Sequence, residues 1–149
     1  MTRAVLGIIG GSGIYDLPGI TDVREERVTT PWGEPSDALR VGRVGATQVV
    51  FLPRHGRGHR IPPSDINYRA NIAALKTLGV TDLVSFSACG SYKEELSPGT
   101  FVLVDNFVDR TVRRVTAGPP VHGQACYGPS ARIVSTTVES SDRGVTSRI

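Results

Sequence analysis

Between Ala38 and Ser64 the chain contains no aspartate or glutamate, although Arg40, Arg43, Arg54, Arg57 and Arg60 all fall inside that window. Nothing in the local sequence neutralises these cations. Aromatic residues are scarce too: four Phe, four Tyr and one Trp in 149 residues, with none between Phe51 and Tyr68. The basic stretch therefore lacks the interleaved rings of a single-strand nucleic-acid platform, and no nucleic-acid partner is expected. The two cysteines, Cys89 and Cys126, show no metal-ligand spacing with each other or with His55, His59 and His122, which argues against a metal centre and a disulfide framework. No apolar run approaches the ~18–20 residues that cross a bilayer, and the N-terminus opens into a strand-like segment without the pattern of a cleavable leader. A cytoplasmic protein with no membrane partner is the expectation. A length of 149 residues and a hydrophobic content of 39% suit one domain with a real core, and a net charge of +3 suits an anionic small molecule at least as well as a nucleic acid.

What is present is concentrated in Pro53-Arg54-His55-Gly56-Arg57-Gly58-His59-Arg60, three arginines and two histidines around two glycines, directly after an apolar run. Arginine offers a planar fork of donors that matches phosphate or carboxylate, and glycine lets the backbone approach a ligand. The bland alternative is a solvated basic loop. Ala4–Ile9 is apolar and ends in Gly10-Gly11-Ser12-Gly13, as a central parallel strand ends in a ligand-facing turn. That turn is a weak signal alone, being neither a GxGxxG fingerprint nor a P-loop.

Further strands are expected at 23–29, 39–44 and 47–52. A helix is expected over 65–78, where Ile66, Ala70, Ala73, Ala74 and Leu78 recur at spacings of three and four, with Ser64 as N-cap and Gly79 as the stop. Leu83–Ser87 reads as a strand ending in the small residues Ala88, Cys89, Gly90 and Ser91, with Cys89 a packed hydrophobe and not a nucleophile. Phe101–Val104 reads as one more buried strand. Strand, loop, helix, strand is α/β order. In such sheets ligands bind beyond the carboxyl ends of the parallel strands, so the loops at Gly10–Gly13, Arg54–Arg60 and Ser87–Ala88 are expected to converge. Residues 113–149 are rich in Gly, Pro, Ser, Thr and Arg without apolar periodicity, and are expected to form a divergent, irregular tail.

The order and wording of five segments, IIGGSGIYDL (8–17), PWGEPSD (31–37), FLPRHGRGHRIPPSDINYRANIAALKTLGV (51–80), SACGSYKEELSPG (87–99) and DNFVDRT (105–111), resemble the methylthioadenosine phosphorylases, in the trimeric branch of the purine nucleoside phosphorylases. The resemblance implies an α/β phosphorylase fold with a mostly parallel central sheet flanked by helices, here in truncated form with residues 1–112 carrying the phosphate site. It implies phosphate-dependent cleavage of S-methyl-5′-thioadenosine to adenine and 5-methylthioribose 1-phosphate, in a homotrimer, without a cofactor or metal.

By the same resemblance Ser12, Arg54, His55, Ser87 and Ala88 hold phosphate; the basic loop itself offers His59 and Arg60 as secondary candidates. Residues that read the purine are not visible in the chain. Methylthioinosine, inosine or guanosine are the alternative substrates, an inactive fragment that keeps only the phosphate half is the alternative state, and a nucleic-acid module ranks third.

Overall fold

The computed structural model describes residues 4–11 and 19–104, together with the backbone of 134–136. Its centre is a five-stranded sheet in the order β2-β3-β4-β1-β5, formed by β1 (Val5–Gly10), β2 (Thr21–Glu26), β3 (Leu39–Val44), β4 (Thr47–Pro53) and β5 (Asp82–Ser85). The α/β class is as expected, and the sheet is mixed. β1 runs parallel to both β4 and β5, whereas β2-β3 and β3-β4 are antiparallel. The reason is covalent: β3 and β4 are joined through Gly45 and Ala46 alone, and only an antiparallel hairpin closes over so short a link.

β4 lies centrally and is buried on both faces, which its uninterrupted Val49-Val50-Phe51-Leu52 run anticipates. Its alternate residues feed two clusters. Val50 and Leu52 join Leu39, Val41, Ala74 and Leu75 on the helix side, while Val49 and Phe51 join Ile8 on the other. Each fully buried Leu or Phe of this kind contributes about 1.5–3 kcal/mol. β2 is the opposite case, an edge strand with a mostly exposed TDVREE sequence and a register shift between Thr21 and Arg24, both of which discourage pairing with other chains.

The helix α1 (Tyr68–Thr77) buries Ala70, Asn71, Ala74 and Leu75 against the sheet and stops at Gly79, which takes a φ of 79°. Its start differs from expectation. Pro63–Asp65 forms a separate 3-10 turn, Ile66 is extended, and the N-cap is Asn67, whose Oδ1 accepts the Ala70 N–H at 3.1 Å. Asn67 is selected over Ser64 because its Nδ2 also donates to the Trp32 carbonyl at 2.7 Å, a partner 35 residues away.

A second, two-stranded sheet pairs β6 (Phe101–Leu103) with β7 (Val134–Thr136) antiparallel. β6 is not the buried strand expected there: Phe101 and Leu103 are 71% and 66% exposed. β7 is the one described part of the stretch 113–149; the remainder of that stretch lies outside the described residues.

Candidate functional site

Because β1, β4 and β5 are mutually parallel, their carboxyl ends lie together. Gly10 stands level with Pro53, and Ile9 with Leu52 and Ser85. The three loops singled out in the sequence thus leave the sheet side by side. Two hydrogen bonds carry the pairing past the strands, from Arg54 N–H to the Gly10 carbonyl at 3.0 Å and from Phe86 N–H to the Ile9 carbonyl at 2.8 Å.

Arg54 ties the loops to one another. Its Nη1 donates to the Phe86 carbonyl through a short hydrogen bond, immediately before Ser87 and Ala88. Its other terminal nitrogen lies over Gly11, where an added Cβ would stand only 2.7 Å from Nη2. Its Nε donates to His55 Nε2 at 3.1 Å. Ser87 is half-buried and Ala88 exposed at this rim. Ser12 follows Gly11 directly but lies outside the described residues.

His55 is 6% exposed, and both ring nitrogens are engaged. Nδ1 is 2.9 Å from the Ile61 carbonyl, which can only accept, so the proton resides on Nδ1 and Nε2 receives from Arg54. Burial pushes this imidazole below its ordinary value, and the Arg54 and His59 charges act in the same direction against the opposing Ile61 hydrogen bond. The His59 ring stacks on it, with centroids 4.3 Å apart and planes 23° from parallel. His59 reaches that position with a φ of 55°, following Gly56 and Gly58 at 69° and 78°. Only a chain with glycine at most such positions makes so tight a crest.

The other loop cations are directed elsewhere. Arg57 Nη2 pairs with Glu25 Oε1 at 2.6 Å, and Arg60 Nη2 donates to the Ser36 carbonyl at 3.1 Å with Asp37 Oδ2 at 3.6 Å. The loop is therefore neutralised in part, by Glu25 and by Asp37, a carboxylate one residue outside the acid-free window. Sequence reading missed Asp37, Ser36 and Asn71, which had no local chemical signal, and missed that Gly11 makes room for Arg54. Among the described residues no group of three or more His, Cys, Asp or Glu is arranged to hold a metal ion, and no helix is long and apolar enough to cross a membrane.

Residues 5–148 match the model of the phosphorylase superfamily, and the chain belongs to that family. It is 68% identical over 114 residues to an S-methyl-5′-thioadenosine phosphorylase of Bradyrhizobium diazoefficiens, a match covering 76% of this chain and 39% of the relative. It is 55% identical over 146 residues to the enzyme of the same name from Koribacter versatilis, covering 93% of this chain and 50% of that one. The chain thus spans half or less of the length of these relatives.

Among solved structures, a variant adenosine/methylthioadenosine phosphorylase from Schistosoma mansoni in complex with methylthioadenosine superposes with a TM-score of 0.72 at 50% identity, over 76% of this chain and 40% of that one. A methylthioadenosine phosphorylase from an antarctic soil metagenomic library gives 0.70 at 50% identity, over 76% and 39%.

Proposed function

We propose that this chain supplies the phosphate-binding part of a purine nucleoside phosphorylase acting on S-methyl-5′-thioadenosine. In that reaction a phosphate oxygen attacks C1′ of the ribosyl ring as the C1′–N9 bond breaks, and the bonding electrons leave with adenine, which takes up a proton at nitrogen. The other product is 5-methylthioribose 1-phosphate. Positive charge develops on the ring and negative charge on the purine, so an oriented phosphate both stabilises the cation and bonds to it. Arg54 fixes the phosphate, the hydroxyls of Ser12 and Ser87 and the N–H of Ala88 set its orientation, and His55, expected to hold phosphate itself, acts instead through Arg54, since both its ring nitrogens are engaged within the loop. His59 and Arg60 flank the site. Inorganic phosphate is the co-substrate, no cofactor enters the reaction, and assembly as a homotrimer belongs to the same reading.

The observation that carries the proposal is the position of the Arg54 guanidinium, between Gly11 on one side and the Phe86 carbonyl on the other. A planar fork at the junction of three strand-end loops suits recognition of a phosphate dianion. The names of the relatives support the substrate. The test is release of free adenine from S-methyl-5′-thioadenosine by the purified chain with and without inorganic phosphate. Phosphate-dependent release, lost in Arg54→Ala, is the expected result. Release that ignores phosphate sinks the phosphorylase reading, and saturable phosphate binding without turnover identifies the chain as the binding part alone.

A further inference from the structure

The crest of the Arg54–His55 loop is held by a residue 20 positions away in sequence. Asp37 Oδ2 accepts the backbone N–H of Arg57 at 2.6 Å and faces Arg60 Nη2 at 3.6 Å, while Oδ1 accepts the N–H of Ala38 at 2.8 Å. The Asp37 side chain is only 17% exposed. Burial acts to raise its carboxyl, but the Arg57 and Ala38 hydrogen bonds and the charges of Arg60 and Arg57 outweigh it, so it titrates below the ordinary carboxylate value and is ionised at neutral pH.

Asp37 is itself anchored. The preceding Ser36 donates its N–H to Asn71 Oδ1 at 2.8 Å and accepts Asn71 Nδ2 on its hydroxyl at 2.9 Å. Asn71 is 2% exposed on the inner face of α1. Two sets of hydrogen bonds, Asn71 to Ser36 and Asp37 to Arg57, joined by the Ser36–Asp37 peptide bond, therefore tie the core helix to the loop crest, opposite the loop base pinned on Gly10.

The loop has physical need of such a tie. Gly56, Gly58 and His59 all occupy positive φ, and glycine-rich backbone has many other conformations open to it. Gly56 is also wedged, since an added Cβ would stand 2.9 Å from Arg60 Nε and 3.1 Å from the Ser36 carbonyl. Displacement of the crest carries His55 with it, and with His55 goes the acceptor for Arg54 Nε.

We propose that Asp37 is a positioning residue for phosphate: by accepting the Arg57 N–H and facing Arg60, its carboxylate locks the turn through Gly56–His59. The lock holds His55 and the Arg54 guanidinium in the orientation that takes the anion. Asp37 touches no phosphate, and its role rests on the reading of Arg54 as the phosphate ligand.

The test is titration of inorganic phosphate into the 149-residue chain, followed by NMR shifts of backbone amides and imidazoles. Wild type is compared with Arg54→Ala, Asp37→Asn and Asp37→Ala. Saturable shifts are expected in wild type, with Kd raised at least about tenfold in Arg54→Ala. Asp37→Asn is expected to raise Kd about tenfold, as loss of one hydrogen bond to a charged acceptor does, and Asp37→Ala by at least as much.

Amide exchange supplies the readout that a merely structural role would not move. It should quicken at Arg57 and Ile61, and the ring-current shift between His55 and His59 should collapse, while Val50 and Leu52 stay protected. Asp37→Asn is nearly isosteric and carries the test if Asp37→Ala does not fold. Wild-type phosphate affinity and loop exchange in Asp37→Asn overturn the role of Asp37 and leave Arg54 untouched. Absence of saturable binding in wild type, or undiminished binding in Arg54→Ala, overturns the phosphate site and this inference together.

Discussion

Gly11 and Arg54 share one space: the position a Cβ would take on Gly11 is 2.7 Å from Arg54 Nη2 and 3.1 Å from its Cζ. Gly11→Ala is therefore expected to push the guanidinium aside. Because the obstructing atoms are the tip of a flexible side chain, the fold should tolerate the change, and reduced chain entropy offers about 0.4–1 kcal/mol of stabilisation if no new strain appears. Phosphate affinity should fall, while loss of the Arg54 hydrogen bonds to the Phe86 carbonyl and His55 offsets that gain, so the melting temperature should not rise. Unaltered phosphate affinity would show that Arg54 is not required in its present place.

The loop arginines are predicted to be unequal. Arg54→Ala should cost phosphate binding about 1.5–3 kcal/mol, the loss of hydrogen bonds to a charged group. Arg57→Ala removes a half-exposed pair with Glu25 but keeps the backbone N–H that Asp37 accepts, so stability should change by no more than about 1 kcal/mol. Phosphate affinity should fall far less in this variant. Equal effects of the two variants in calorimetric titration would mean that the loop attracts anions only as a diffuse basic patch.

Protonation of His55 is expected to loosen the site. Its folded value lies below the ordinary 6.5, so the unfolded chain binds the proton more readily. Stability is then fully present above the unfolded value and is lost as pH falls from there through the folded value. The protonated ring also cannot accept from Arg54. Melting temperatures from about pH 8 to pH 5 should decline on the acid side, and His55→Gln should flatten that decline. Parallel curves for both proteins would contradict this.

The two candidate caps of α1 separate cleanly. Asn67→Ala removes the acceptor for Ala70 N–H and the donor to the Trp32 carbonyl, and should destabilise the fold by roughly 1–2 kcal/mol. Ser64→Ala, exposed within the 3-10 turn, should cost next to nothing. Chemical denaturation of both variants measures the difference, and a larger loss at Ser64 would reverse the assignment.

The elements written in local pattern were legible in the chain. β3 is found at the expected residues 39–44, the Val49–Leu52 run is the core strand it reads as, Gly79 ends the helix, and Arg54 follows a strand end. Each depends on neighbours a few positions apart, through alternation of apolar residues, glycine backbone freedom and turn chemistry. The family was legible for the same reason, since its wording is carried in contiguous segments.

Tertiary structure alone decided which cations are matched by carboxylates and which residue caps the helix. Arg57 meets Asp37 across 20 residues and Glu25 across 32, and Asn67 finds Trp32 across 35. Such partners depend on how strands align and where a helix docks, and no local periodicity encodes them. The sequence by itself determined that an arginine follows the end of a core strand; the pairing of β1 with β4 and β5 decided what stands around it, because parallel alignment brings three distant strand ends to one edge.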